Sequence, residues 1–557
     1  MIFHRLRHLA LLQHRRLCLP SVWKWELFLI FPAGKVGRKG MPGIWVRPSS
    51  SRVVPATRAN WCGTGWGYRY AININVLPDN VFLDILDFCL RNPHKSPFHR
   101  MWEWQRLVHV CRRWRYIIFA SPRRLDLHVF CTYGTSVRNN LSCWPAFPII
   151  VDYYPYWDFD NGKSITPDND DNVIAALEHP DRVRYVEIAA TNSLLGKVAT
   201  VMQTPFPALT LLRLSSKDDD APFLPNTFLG GSAPSLQEIC LDGIPFLTLP
   251  ALLLSARHLV ILKLDNIPVT GYISPESMII CLNILTQLRT LSIGFRVPTS
   301  HSDRLITRPS PQTRVVLPVL SFFEFRGISE YLEDLVAQID TPQLDFLRIT
   351  YFNRFAFDAF DVPQLSQFTG RTKSLELDQS KHAELYFGAS NAKIRLDCEH
   401  VGLGRRQSRL FLQISCQGLD RQVSLLTQVL SHSPGVFSNV AHLSIHAQCL
   451  QQLELEDEGG EDIIDIAYLD LLRPFASVET LRLHGHSAGA VALALEVDVN
   501  EMVDAEVFPV LQLIWLQDLP VASLENFADI RCRSGRPVAI VNTEREFVRK
   551  CGSHFKI

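Results

Sequence analysis

The sequence predicts an α/β protein in which a short pair of helices is followed by a long array of helix–strand units stacked side by side. Two observations carry this expectation. An apolar-x-x-apolar-x-apolar phrase recurs through the body of the 557-residue chain, and amphipathic helical stretches of about a dozen residues fall between its copies. Apolar residues make up 47% of the chain and charged residues 20%, which excludes a wholly disordered chain and a coiled-coil rod. The length exceeds what one compact core holds, so the alternatives are several domains or one elongated array.

Charge separates the front from the rest. Lysine plus arginine and aspartate plus glutamate both number 56, giving a formal net charge of zero and no global pull toward nucleic acid. Residues 1–70 hold 12 of the bases and one acid, Glu26, which leaves the remainder with 44 bases, 55 acids and a net charge of −11. The leader also carries five of the eleven tryptophans. Leu6, Leu9, Leu12 and Leu17 share a helical face beside Arg5, Arg15 and Arg16, a cationic amphipathic pattern that a mitochondrial targeting helix would use. The leader therefore reads as a disordered segment, a targeting segment or a misplaced start of the reading frame. Gly63, Gly65 and Gly67 lack the spacing and the strand-to-helix context of a dinucleotide loop.

Structure is expected from Leu77, Pro78, Asp79 and Asn80. Proline suits a helix start, and Asp79 sits where the positive end of the helix dipole favours an anion. Val81, Phe82, Ile85, Leu86, Phe88 and Cys89 then fall in one arc at 100° per residue. Pro93 and Pro97 stop this helix. A second helix is expected from about Met101, with Trp104, Leu107, Val110, Cys111, Trp114, Ile117 and Ile118 on one face, ending at Ser121-Pro122. Helices this short need a partner surface, either the following domain or another protein's helices.

The order LPDNVFLDIL (77–86), then LVHVCRRWRYIIFASP (107–122), resembles an F-box, and with the following RRLDLHVFCTYG it is similar to the large F-box families of mushroom-forming fungi. The resemblance covers about 45 residues. It implies binding to the Skp-type adaptor of a cullin-RING ubiquitin ligase, with Leu77, Pro78, Val81, Ile85, Leu86, Leu107, Val110, Cys111 and Trp114 forming the module and its adaptor face. Residues 87–106 make a longer gap between the two halves than a compact F-box has.

In the body the phrase reads Val183-Val186-Ile188, Leu209-Leu212-Leu214, Leu236-Ile239-Leu241, Leu259-Leu262-Leu264, Leu288-Leu291-Ile293, Leu320-Phe323-Phe325 and Leu344-Leu347-Ile349, spaced 26, 27, 23, 29, 32 and 24 residues apart. It continues at Val440-Leu443-Ile445, Val478-Leu481-Leu483 and Leu511-Ile514-Leu516, with Leu375 and Leu377 keeping half of it. This loosened period matches leucine-rich repeats, in which each unit's apolar phrase is covered only by its neighbours. Helical patterns at 171–180, 276–285, 329–339, 421–430 and 465–475 precede the phrases. Residues 380–435 lose the phrase, and asparagine rarely holds the ladder position of regular leucine-rich repeats, with Asn266 as a candidate. Residues between the strand apolars, such as Arg213, Lys263, Arg348, Arg482 and His484, are expected on a face that could hold a partner. The acidic run 454–462 reads as an insertion loop within a unit 38 residues long.

Catalytic and metal signatures are missing from the sequence. Trp157 stands where the first glycine of a phosphate loop ending in Gly162-Lys163-Ser164 belongs. His4 with His8, and His484 with His486, suggest no third metal ligand. Thirteen cysteines stand singly, without a C-x-x-C pair, as thiols in a reducing compartment would. No run of about 18 apolar residues marks a membrane span.

The expectation is thus an α/β chain with a basic leader (1–70), an F-box (71–122), an irregular leucine-rich-repeat-like solenoid (123–520) and a C-terminal cap or tail (521–557). Its function would be that of a cytoplasmic or nuclear, non-catalytic substrate receptor of an SCF-type ligase. It would bind the adaptor, and through it a cullin, together with a target protein, using no cofactor, metal, nucleic acid or membrane. The alternatives are a scaffold whose helical pair only caps the array, and an enzyme with an unrecognised site in 380–435.

Overall fold

The computed structural model describes most of residues 77–556; outside the description lie 1–76, 91–103, 133–136, 154–166, 219–222, 297–313, 353–361, 400–405, 448–467, 486–490, 496–506, 518–523, 543–546 and some isolated positions. The chain divides into two compact units, Met1–Asn73 and Ile74–Ile557. The leader with its leucine and glycine motifs, Lys163 and its neighbours, the acidic run and His486 all fall outside the described residues.

The second unit is an α/β structure built on one large, mostly parallel sheet of 18 strands. In its first half these are β1 (Val129–Thr132), β2 (Ile149–Tyr153), β3 (Val183–Ala190), β4 (Leu211–Ser216), β5 (Glu238–Asp242), β6 (Ile261–Ile267), β7 (Thr290–Phe295), β9 (Phe322–Gly327) and β11 (Phe346–Tyr351). Each is parallel to the one before it. The short strands β8 (Val315–Val316) and β10 (Ile339–Asp340) pair separately. The second half holds β12 (His382–Phe387), β13 (Asn391–Glu399), β14 (Arg406–Ser415), β15 (His442–Ala447), β16 (Thr480–Gly485), β17 (Leu513–Gln517), β18 (Ala539–Asn542), β19 (Phe547–Lys550) and β20 (Ser553–Lys556). The sheet therefore runs on beyond residue 520, ending in the antiparallel pairs β18–β19 and β19–β20.

The recurring phrase makes this sheet. In all ten complete copies the three apolar residues are buried, none more than 4% exposed, because strand residues two apart point to one face and the first residue of each phrase tucks in beneath it. Helices close that face: α1 (Asp79–Leu90), α2 (Arg112–Ala120), α3 (Pro167–Leu177), α4 (Asn192–Val201), α5 (Pro275–Leu282), α6 (Ser329–Val336), α7 (Pro363–Arg371), α8 (Leu419–Ser431) and α9 (Glu525–Arg533) are the longer ones. Local signals fix their starts. In α5, Ser274 caps by accepting from the Ser277 N–H at 3.3 Å, and Pro275 takes the first turn.

Close approach is demanding at Gly327, where an added Cβ would lie 2.8 Å from Phe325 and 2.9 Å from Phe295. Both rings are nearly sealed, at 0% and 3% exposure, so Gly327→Ala is expected to cost about 1–3 kcal/mol by overpacking, read by chemical denaturation.

The phrase-free stretch 380–435 is an insertion that keeps the sheet continuous. From β11 the chain skips two strand positions to β12, returns through β13 and β14 to fill the gap beside β11, and crosses by α8 to β15, which pairs with β12. β13 is antiparallel to both neighbours. Gln422, fully buried in α8, donates to the Gly388 and Cys416 carbonyls at 2.8 and 2.9 Å and so ties the helix to both ends of the insertion.

Three expectations need correction. Leu375 and Leu377 are buried but lie in two short 3-10 turns, not a strand, since Glu376 between them has φ +46. Asn266 adopts φ +50 at a bulge of β6, and its amide bonds the Asp242 carboxylate at 2.7 Å instead of a backbone ladder. Cysteines 111, 131, 240, 281 and 416 are free, whereas Cys532 is disulfide-bonded. Burial pushes the Cys131 and Cys240 thiols up to about 12 and those of Cys281 and Cys416 up to about 11, which keeps them protonated and unreactive.

Candidate functional site

Two surfaces of the second unit are candidates, the front helices and the sheet face that the helices leave open.

At the front, α1 begins as its sequence dictates. The Phe82 N–H donates to the Pro78 carbonyl at 3.0 Å, and Asp79 pairs with Arg113 at 2.7 Å, which fastens α2 to the start of α1. Arg113 also donates to the Leu77 carbonyl, and Arg124 pairs with Asp84. The expected single second helix is broken. Trp104, Leu107 and Val108 belong to a first piece, His109 and Val110 turn, and Cys111 is extended (φ −159, ψ 171) as the N-cap of α2. Arg115 donates to the Val108 carbonyl at 3.0 Å, which satisfies an acceptor exposed by the break. The break lets Val108, Ile117 and Ile118 all point inward and turns Val110 out. An F-box fold is not seen in these helices.

The nine predicted site residues separate into two groups. Leu86 is buried, Leu107 is half-buried against the core, and Trp114 packs on Phe82 with ring centroids 4.7 Å apart, so these three hold the pair together. Leu77, Ile85 and Cys111 are half-buried, and Pro78 is exposed. Val81 and Val110 are open, at 37% and 57% exposure. Phe88 is 67% exposed and shares a helical stripe with Val81 and Ile85 at i, i+4 and i+7. The apolar arc of α1 is therefore wider than its core needs. Phe82, Leu83 and Leu86 face in, and Val81, Ile85 and Phe88 face out. Phe88 belonged to the arc read from the sequence but not to the residues assigned to the site.

On the sheet, the residues between the strand apolars line the open face. One row runs in register through Asp152, Glu187, Arg213, Cys240, Lys263, Ser292, Glu324, Arg348, Phe411, Arg395, Glu384, Ser444, Arg482 and Trp515. Arg213, Lys263, Arg348, Arg482 and His484 all stand on this face, as their spacing predicts. Charges pair across strands: Arg213 with Glu187 and Glu238 at 3.3 and 2.6 Å, Arg348 with Glu324 at 3.4 Å, and Arg395 with Glu384 at 3.8 Å, while Arg395 also pairs with Asp397 of its own strand at 2.8 Å. At mid-sheet Phe322 stacks on Phe346 at 5.0 Å, and the Arg348 guanidinium lies 5.4 Å from both Phe346 and Phe411.

Beside them a cleft of about 370 Å³ is lined by Asp242, Asp265, Asn266, Ser292, Glu324 and Arg326. Asp242 accepts from Ser215 at 3.0 Å and Asp265 from Ser292 at 2.9 Å. Burial raises the Asp265 carboxyl, and Asp242 adds to the rise against the Ser292 hydrogen bond and the nearby Lys263 and Arg326 charges. Further along, the His446 and His484 rings stack at 4.1 Å, and His484 Nδ1 meets Gln517 Oε1 at 2.8 Å. Burial and His484 lower the His446 imidazole against the pull of Glu384.

Asp152 carries a testable cost. Burial first, and the neighbouring Glu187 second, push its carboxyl up to about 6. Its folded value lies above the unfolded one, so the protonated form favours folding. Stability from this group is full below about pH 4 and is lost as pH rises through about 6. Asp152→Asn is expected to stabilise the protein at pH 7 by about 1 kcal/mol, allowing for partial solvent screening, and to do nothing near pH 4. Urea denaturation at the two pH values reads this.

Near the insertion, the space between α7, α8 and β14 is an apolar crevice of about 40 Å³ lined by Leu365, Leu377, Leu412, Val429 and Phe437, with His432 at its edge. Among the described residues no three His, Cys, Asp or Glu side chains group as a metal site would, and no helix is long and apolar enough to cross a membrane. No family model matches the chain, and a search of curated proteins finds no match.

Proposed function

We propose that this chain is the substrate receptor of an SCF-type cullin-RING ubiquitin ligase, with an F-box-like front that holds a Skp-type adaptor and a leucine-rich-repeat-like ribbon that holds a target protein. The observation that carries the reading is the outward stripe of Val81, Ile85 and Phe88 on a helix whose opposite side already fills its core. Three large apolar side chains on one short helix favour a covering partner, because each contributes about 1.5–3 kcal/mol when fully buried. The F-box-like order of residues 77–122 supplies the identity of that partner. The parallel array, with its interior apolar phrase and polar open face, supports a binding ribbon.

The chain would supply proximity and no chemistry. It would raise the effective concentration of the target's lysines near a conjugating enzyme carried elsewhere in the ligase, in the cytoplasm or nucleus. The test is co-purification of the full chain with a recombinant Skp-type adaptor, and failure to form the complex ends the reading.

A second reading, a scaffold in which the helical pair only caps the ribbon, draws on the core itself. Phe82, Leu86, Trp104, Ile117 and Ile118 belong to the same buried cluster as Val129 of β1 and Ile149 of β2. Under that reading the outward stripe has no adaptor to meet, and adaptor capture separates the two.

A further inference from the structure

The two halves of the open face differ in charge. Over β5–β9, Asp242, Asp265 and Glu324 stand among Lys263 and Arg326. Over β12–β17, the two central open-face rows hold Lys393, Arg395 and Arg482 against one carboxylate among the described residues, Glu384. Arg395 pairs with Glu384 at 3.8 Å and with Asp397 at 2.8 Å, so these charges satisfy one another. Arg482 is exposed and Lys393 half-buried, and neither makes an ion pair among the described residues. The Lys393 ammonium lies 4.7 Å from the Tyr386 ring, and half-buried Trp515 stands level with Arg482 on the next strand.

Histidines fill the space between these two cations. Lys393, Tyr386, His446, His484 and Gln517 run level across β13, β12, β15, β16 and β17. The His446 and His484 rings lie face to face, 4.1 Å apart and within 9° of parallel, and Gln517 holds His484 at Nδ1. Two imidazolium ions at that separation repel, so the pair resists charging until a negative charge arrives beside it. Facing the pair are Tyr386 and Glu384 from β12, Lys393 and Arg395 from β13, and Arg482 from β16 itself. Gln517 and Trp515 of β17 do not titrate. Three of the four charged neighbours are cations, and Glu384 alone pulls a proton toward His446.

We propose that the open face over β12–β17 docks an acidic polypeptide segment, which lies across Lys393, the His446–His484 pair and Arg482 and is bound with uptake of a proton from solvent by that pair. Charge complementarity selects the occupant. Carboxylates over this patch gain two ion pairs without breaking an existing one and lower the cost of charging the histidines, whereas a neutral or cationic segment gains neither. The register sets the reach. Lys393 and His484 are three strand steps apart, about 14 Å at ~4.8 Å per strand, and Arg482 lies two residues back along β16, about 7 Å away. About four extended residues span the row at ~3.3 Å each. Trp515 supplies apolar area beside Arg482, a combination that suits a polypeptide partner. The inference rests on the receptor reading, for which it names the chemistry of the target segment, and its test does not involve the adaptor.

The probe is a fluorescein-labelled synthetic peptide with four consecutive aspartates, titrated into the full chain by anisotropy at physiological ionic strength. Saturable binding is expected near neutral pH, at least tenfold weaker for the counterpart with four asparagines. Arg482→Glu and Lys393→Glu are each expected to weaken binding at least tenfold, and Arg482→Gln, which adds no new charge, at least threefold. Lys263→Glu is the control. Lys263 stands on the same face and also makes no ion pair among the described residues, but it is five strand steps from Lys393. That is about 24 Å, well beyond the screening length of about 8 Å, so its replacement is expected to leave affinity within twofold. Lowering the pH from about 7.5 to about 5.5, across the ordinary histidine value of about 6.5, is expected to tighten binding at least fivefold while the aspartates stay ionised. His446→Gln with His484→Gln is expected to abolish that tightening and to preserve binding near neutral pH, with thermal transitions confirming that each variant folds. Absence of saturable binding, equal binding of the asparagine peptide, affinity indifferent to Arg482→Glu, or a pH response that is missing or survives the double histidine change overturns the proposal. Adaptor capture run in parallel keeps the readings apart: capture without peptide binding sinks the docking face alone, and peptide binding without capture sinks the ligase reading alone.

Discussion

Ile85→Asp combined with Phe88→Ser is expected to lower adaptor affinity by two to four orders of magnitude while leaving the ribbon folded. Both side chains lie on the outward stripe of α1, and neither belongs to the buried core. In a complex each would be covered, and losing about 1.5–3 kcal/mol at each position gives that range at roughly 1.4 kcal/mol per tenfold. The contrast with Trp114→Ala is what makes the pair informative. Trp114 packs on Phe82, itself 1% exposed, so its removal unsettles the helical pair and lowers capture for reasons of folding. Isothermal titration of the adaptor against the double variant, with the thermal transition measured alongside, distinguishes these cases. An unchanged affinity for the adaptor would remove α1 from the docking surface and leave the capping scaffold as the better reading.

How far the sequence could be read depended on whether one unit carried its own signal. The phrase Leu209-Leu212-Leu214 announces a strand because two alternating apolar positions follow a third that anchors the turn before them, and its copies repeat at nearly constant spacing. The insertion was opaque for a different reason. Ala383, Leu385 and Phe387, then Ala392, Ile394 and Leu396, then Leu410, Leu412 and Ile414 alternate cleanly at period two, and all are buried. They lack the leading apolar residue of the phrase because no helix-to-strand turn precedes β13 or β14, so a search tuned to the phrase passes over them.

The open-face residues Arg213, Lys263, Arg348 and Arg482 were legible for the same reason that the core was, since alternation assigns both faces at once. The aromatic patch was not, because Phe322, Phe346 and Phe411 come together only through the pairing of β11 with both β9 and β14, and β14 follows β11 by more than fifty residues. At the front, amphipathicity found α1 but could not divide its apolar arc between inside and outside. That division depends on Trp114 and Val108 arriving from a second element whose break at Val110 and Cys111 has no proline or glycine to mark it.

The antiparallel insertion predicts an unusual unfolding behaviour. In a one-dimensional array each unit is stabilised by its neighbours, so cooperativity passes along the sheet only through continuous strand pairing and a continuous core. Between β11 and β15 that continuity rests on β14, β13 and β12, and β13 is held by antiparallel pairing on both sides. Ile394 sits mid-strand on β13, 1% exposed, registered with Leu385 of β12 and Leu412 of β14. Ile394→Ala removes its side chain from this bridge and is expected to cost about 2–5 kcal/mol. The same truncation at Leu262, in the regular array, carries a similar local cost, but its neighbours on both sides are ordinary repeat units. The Ile394 variant should therefore split one denaturant transition into two, with the β1–β11 part and the β15–β18 part unfolding separately, while Leu262→Ala lowers the midpoint of a single transition. Hydrogen exchange resolved to the two halves checks this directly: coincident exchange of both halves in the Ile394 variant would mean that the insertion is not the bridge that couples them, and that coupling runs through the helices that flank it instead.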